Sequence, residues 1–217
     1  MANNSTAGTP GTAGTSTTTS TSSTQETWGV AIRYIVGRKS AEEALGFLAH
    51  CGAALTRTPD LGAALRDVTR ASVAFLADIG RISLVEGEEL VESTREHVAG
   101  LDPAVVDSQL DFLDDGAAGR GDRTPDVLAA RRTAVYAPSG SVAAASLAEA
   151  EERGVLSALL VPLVVRGQVF GVLTLVRAGV RKKAEFGAAD VALAEELARQ
   201  IGTTVEVSRL RQALAGR

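Results

Sequence analysis

Gly154-Val-Leu-Ser157-Ala-Leu-Leu-Val161-Pro162-Leu163-Val-Val165, Arg166-Gly167, and Gln168-Val-Phe-Gly171-Val172-Leu173-Thr-Leu175-Val-Arg177 form the stretch on which the fold turns. Two runs rich in Val and Leu, 155–165 and 168–177, are parted by a glycine-containing pair. This predicts a hairpin of two central strands. Gly171 inside the second run marks the close approach of another backbone or the floor of a pocket. Pro162 marks an irregular or edge-like point in the first run, because proline cannot donate to a ladder.

Working outward, no proline intervenes between Gly187 and about Ala215, and Val191, Ala194, Leu197, Ile201, Val205, Ser208 and Leu210 keep a helical stripe. Such a helix could run about 40 Å at 1.5 Å per residue. A long terminal helix serves as a dimer or relay element, or folds back onto the sheet over at least its first half. Toward the N-terminus, Ser40-Ala41-Glu42-Glu43 reads as a capping box opening a helix striped by Leu45, Leu48, Ala49, Gly52 and Leu55. Thr58-Pro59 opens a second helix with Leu61, Ala64, Leu65, Val68, Ser72, Phe75 and Leu76 as its buried stripe. The two helices are expected to form a hairpin. A strand over 79–86, a turn at Glu86-Gly87-Glu88 and a returning strand over 89–98 follow.

Between these blocks, segment 100–153 changes texture. Asp102-Pro103 starts a short helix with Val105, Val106, Leu110 and Leu113, ending at Asp114-Asp115-Gly116. After a loop, Thr124-Pro125 opens another helix, 133–137 reads as a strand around Tyr136, and Ser146-Leu147-Ala148-Glu149 is a second capping box.

The ends carry different chemistry. Residues 1–25 contain 18 Ser, Thr, Gly or Pro and no charged side chain, so they cannot repay the entropy of ordering, roughly 1–2 kcal/mol per residue. They read as a disordered tail. Segment 26–39 holds the only Trp, Trp28, and its apolar positions fit either a strand or a helix. Residues 40–217 are the folded domain.

Composition excludes several classes. A net charge of −4 and basic clusters no longer than Arg181-Lys182-Lys183 argue against nucleic acid as a partner. With one cysteine, Cys51, and two histidines, His50 and His97, there is neither an internal disulfide nor a zinc site of four cysteines or two cysteines with two histidines. Neither a secretory signal nor a stretch of ~20 apolar residues is present, so the expectation is a cytoplasmic protein away from membranes.

Catalytic sets are missing as well. The chain contains no Gly-x-Ser-x-Gly elbow, no phosphate-binding Gly-x-x-x-x-Gly-Lys-Ser/Thr loop and no His-Glu-x-x-His. Gly116-Ala-Ala-Gly119-Arg-Gly121 does not pass from a strand into a helix and reads as loop, and the Arg120-Gly121-Asp122 tripeptide within it reads as coincidence. Cys51 reads as a buried core thiol. His97 is either a ligand-sensing or metal-binding side chain or an ordinary histidine at a strand end. Asp102, Asp107, Asp111, Asp114 and Asp115 scatter around a short helix and read as a solvated lid. Small-molecule chemistry is best placed under segment 100–153, where the candidates are Arg81, Ser83, His97, Phe112, Tyr136 and Ser157. No metal and no cofactor is called for.

The block from Gly154 to Leu175, with Phe186, Asp190 and the closing Glu206-Val-Ser-Arg209-Leu210, resembles the GAF domain family over about residues 40–215. The resemblance implies an α+β fold: a central antiparallel sheet with the first, second and last helices bundled on one face and a ligand cavity on the other. It also implies terminal helices that pair across a two-fold axis, for which Leu197, Ile201, Val205 and Leu210 are the seam candidates. The Asn-Lys, Phe and Asp-Glu signature of cyclic-nucleotide-binding members is not present. Free methionine sulfoxide reductases of this fold depend on several cysteines, and bilin-binding relatives need one where this chain has none. Haem through His97 stays open, and Val207 replaces the usual Asn of the closing helix. Because no output module follows, the expectation is a stand-alone, non-enzymatic small-molecule sensor that acts through a homodimer or a separate signalling protein. The alternative is a structural or adaptor module without a ligand, its cavity filled by its own side chains.

Overall fold

The computed structural model describes residues 40–114, 123–137, 154–155, 157–180 and 185–216. The chain divides into two units, Met1–Glu43 and Ala44–Arg217. Of the first, only 40–43 are described, and they are helical. Ser40 is therefore already inside a helix rather than capping one. The tail 1–25, segment 26–39, the glycine-rich loop with its Arg-Gly-Asp tripeptide and the capping box at Ser146 lie outside the described residues.

The second unit is built on a five-stranded antiparallel sheet of order β2-β1-β5-β4-β3. Its strands are β1 (Ile79–Glu86), β2 (Glu89–His97), β3 (Ala134–Tyr136), β4 (Ser157–Val165) and β5 (Gln168–Arg177). The helices are α1 (44–57), α2 (Leu61–Phe75), α3 (Pro103–Asp114), α4 (Thr124–Ala130) and α5 (Ala188–Ala215). The architecture is α+β, as the sequence implies. No described helix is long and apolar enough to cross a membrane.

The hairpin β4–β5 turns at Arg166 and Gly167, with φ of 50° and 79°. Two successive left-handed residues match the twist of the flanking strands. Both runs are apolar throughout because both faces of the sheet are covered. On one face Leu159, Val161, Leu163, Leu173 and Leu175 pack against α1, α2 and α5. On the other, Ala158, Leu160, Val172 and Val176 pack beneath α3 and α4. β2, at the sheet edge, keeps Glu92, Arg95 and Glu96, charges that discourage pairing with another chain.

Glycines record the close packing. A Cβ on Gly171 would lie 2.1 Å from the Ser83 carbonyl oxygen of β1, so the backbone that approaches is the neighbouring strand. Pro162 lies beyond the reach of β3, which pairs only with Ala158–Leu160, and next to a register shift between Leu163 and Val164.

Two helix boundaries differ from the sequence reading. α2 is capped by Asp60, whose carboxylate accepts hydrogen bonds from the Gly62 and Ala63 amides, rather than by Thr58. Asp satisfies these free amides as well as a hydroxyl would. In α1 the buried side chains are Phe47, Cys51, Ala54 and Leu55, while Leu45 is 67% exposed. The helix has two apolar faces, and stacking of Phe47 on Phe75 of α2, 4.7 Å between centroids, selects the one that turns inward.

Candidate functional site

The candidate site lies on the face of the sheet beneath α3 and α4. Strand alternation places Ile79, Arg81 and Ser83 of β1 on this face, beside Val172, Thr174 and Val176 of β5. Arg81 and Thr174 are register partners in two central strands, and both are buried. Next to them the β1–β2 ladder is bulged between Ile82 and Ser83, a device that re-aims side chains.

Arg81 forms a two-pronged bond with Asp114, the last residue of α3, through Nη1–Oδ2 and Nη2–Oδ1, each 2.6 Å. The Arg81 side chain is 7% exposed and that of Asp114 41%. Asp114 Oδ1 also accepts from Thr124 Oγ1, the first residue of α4, at 2.9 Å. One carboxylate thus ties the end of one lid helix to the start of the other, over a guanidinium rooted in the sheet. After this bonding, Arg81 Nε and Thr174 Oγ1 remain buried without a hydrogen-bond partner among the described residues.

An aromatic wall adjoins the polar pair. The Arg123 guanidinium lies 3.5 Å from the Phe112 ring centroid, within cation–π range, and Phe112 meets Tyr136 edge to face at 5.7 Å. Both rings are buried. Gln109 donates from Nε2 to the Gly154 carbonyl at 3.1 Å, closing the lid toward the start of β4.

The sequence candidates separate in space. Arg81, Ser83, Phe112 and Tyr136 share the lid side. Ser157 alternates to the helix side with Leu159; its hydroxyl donates to the Tyr136 carbonyl and accepts from the Phe186 amide, a clasp that holds strand ends. His97 ends the edge strand, exposed, with Nδ1 3.0 Å from the Val98 carbonyl. Among the described residues no cluster of His, Cys, Asp or Glu suits a metal ion. Of the seam candidates, Leu197, Ile201 and Val205 are fully buried against their own sheet, and only Leu210, at 56%, faces outward. The apolar stripe of α5 is used up in covering β4 and β5, so a seam on this helix has to use the opposite face.

Asp114 and Thr124 entered the sequence reading only as part of a solvated acidic lid and as a helix start, whereas the structure pairs Asp114 with Arg81; Thr174, Gln109 and Arg123 carried no sequence expectation. One signal was present: an arginine and a threonine in the middle of otherwise apolar central strands require a polar counterpart overhead.

On the helix side, two clefts of about 660 and 640 Å³ adjoin along α1 and α5 and share Leu55, Thr56, Thr203 and Thr204. Leu45 and Leu48 line one end, Val207 and Arg211 the other. Within the groove Arg199 bonds Glu196 through two nitrogens and holds its carboxyl below the usual range. Burial pushes the thiol of Cys51 up to about 12. The junction of α2, β5 and α5 is held by Arg177, which donates to the Leu76 carbonyl at 3.2 Å and to that of Glu185, and stacks 4.1 Å from the Phe186 ring centroid.

A sequence model of the GAF domain matches residues 58–206. No curated protein matches the chain in sequence. Among solved structures, the GAF domain of a phosphoenolpyruvate-protein phosphotransferase from Coxiella burnetii is 18% identical, with a TM-score of 0.57 over 80% of this chain and 98% of that one. The phycocyanobilin-bound GAF domain of a cyanobacterial phytochrome is 12% identical, with a TM-score of 0.57 over 77% and 96%. Free methionine-R-sulfoxide reductase from Neisseria meningitidis, solved with its substrate, is 19% identical, with a TM-score of 0.55 over 79% and 93%. At these identities the likeness is one of fold.

Proposed function

The chain belongs to the GAF domain family, whose members are commonly sensory or regulatory, and on that premise we propose that it is a cytoplasmic, non-enzymatic sensor of a small molecule. The molecule binds between the sheet and the lid helices α3 and α4. The observation that carries this reading is the buried polar pair Arg81 and Thr174, which retains unmet hydrogen-bonding capacity beneath the lid helix that carries Asp114. Leaving buried polar groups unpaired costs roughly 1–3 kcal/mol each, a cost a ligand removes. The single cysteine, Cys51, is buried in the apolar core on the helix side of the sheet, away from Arg81 and Thr174.

A thermal-shift screen against pooled metabolites tests the reading. A ligand present at 100 times its Kd adds ~2.7 kcal/mol, which for a domain of this size moves the midpoint by roughly 5–10 °C. A flat response to every pool would refute the sensor.

One observation favours a second reading, in which association rather than a ligand is the function. Leu45 and Leu210, exposed on the outer surface of α1 and α5, together with the groove between those helices, suit a second copy of the chain. In the sensor reading the same surface transmits the signal, to that second copy or to a separate signalling protein.

A further inference from the structure

We infer that Arg81 is the anchor of a carboxylate-binding site, and that Asp114 fills it as an internal carboxylate that a small carboxylate ligand displaces. The inference rests on the sensor reading and names its ligand class. Burying a guanidinium in a central strand costs several kcal/mol, and an apolar residue of similar size would fill the space at no such cost. What the arginine offers instead is a planar fork matched to a carboxylate, and Asp114 occupies that fork with both oxygens at 2.6 Å.

Asp114 satisfies the fork incompletely. Arg81 Nε and Thr174 Oγ1 stay buried and unpartnered while Asp114 is seated, so the site has more polar capacity than its internal occupant uses. A free carboxylate bearing a second polar group can take the fork and also reach one of these. The occupant is also the replaceable member of the pair: Arg81 is rooted in the sheet with its side chain 7% exposed, whereas Asp114 ends a lid helix with its side chain 41% exposed. Its departure breaks the Thr124 bond in the same step, which removes the carboxylate tie between α3 and α4 and leaves the Arg123–Phe112 contact and apolar packing to hold them. Ligand exchange at one guanidinium thereby becomes a change in the lid.

The test uses the full chain, its Asp114→Asn and Arg81→Lys variants, and potassium acetate, succinate and phosphate against potassium chloride at matched ionic strength. Asn keeps an oxygen for Thr124 but cannot compete as an anion; Lys keeps the charge and loses the fork. Succinate is expected to stabilise D114N saturably, with a Kd at least tenfold below that for the unsubstituted chain, and R81K is expected to lose at least tenfold. Folded D114N that responds to carboxylates no more than to chloride would overturn the inference, and preference for phosphate over succinate would overturn the ligand class. If D114N does not fold, hydrogen exchange of the unsubstituted chain decides: amides at 110–114 and 127–130 exchange faster in saturating succinate, and unchanged rates overturn the inference. A metabolite that stabilises the chain, D114N and R81K alike leaves the sensor standing and overturns only the carboxylate site.

Discussion

Single residues set the tolerances of this fold. Gly171 is required by proximity rather than by its φ, since its Cβ would stand 2.1 Å from a carbonyl oxygen of the adjoining strand. Gly171→Ala is expected to lower stability by about 2–4 kcal/mol, because strand pairing must open to admit one methyl group. Urea titration measures this, and a loss below 1 kcal/mol would show that the strands slide apart at little cost. Cys51 makes a prediction in pH. Its thiol pKa is raised from 9.0 to about 12 in the folded chain. The stabilising contribution is therefore complete below pH 9 and is lost as pH rises toward 12, since the unfolded chain gives up the proton first. The expected slope between those values is about 1.4 kcal/mol per pH unit. Cys51→Ala should flatten that part of the profile, and parallel profiles for the two proteins would contradict the assignment.

At the scale of elements, α5 shows how one helix divides its surface. Up to Val205 its apolar stripe covers the sheet, and Gly202 lets it approach β4 closely: an added Cβ would be 3.0 Å from Val165 Cγ2. Arg209 then fastens the helix to the Val85 carbonyl, 2.5 Å away, beside Phe170. Ile201 is fully buried, and burial of such a side chain contributes about 1.5–3 kcal/mol before any charge is added. Ile201→Asp is expected to abolish cooperative thermal unfolding rather than to separate subunits. A folded, wholly monomeric I201D protein would return this residue to the subunit seam. The lid helices are attached differently: α3 and α4 are short, cover the apolar residues of the opposite face and are tied to each other at Asp114 and Thr124.

For the whole molecule, the sheet separates two cores of unlike purpose. The helix side is a continuous apolar core, and its outer surface offers the groove and the exposed leucines. Leu210→Asp is expected to leave the melting midpoint within about 2 °C and to shift the molecular mass from dimer toward monomer in light scattering, because a charge in an apolar seam is costly to desolvate. A mass independent of this substitution, or monomeric before it, removes the proposed pairing. The lid side combines apolar packing with the arginine fork, and a change there can reach the other face through β1 and β5, which carry Arg81 and Thr174 and back onto α2 and α5, and through β4, which packs against both α4 and α5.

The sequence by itself determined the hairpin β4–β5 and the bounds of β1, because apolar runs and glycine turns are local signals, while the α+β arrangement of sheet and helices followed from the family resemblance of the block around that hairpin. It also placed Arg81, Phe112 and Tyr136 among the candidates, since polar or aromatic residues within apolar strands and lid segments stand out locally. Only the tertiary structure decided the rest. Which face of α1 turns inward depended on Phe75 of another helix, and Leu197, Ile201 and Val205 went to the core because the sheet claimed their stripe first. Asp114, one of several interchangeable-looking acids in the sequence, became the partner of Arg81 because α3 carries it across 33 residues to one strand position. Periodicity tells how a segment is patterned; which partner meets that pattern is settled by packing between segments distant in the chain.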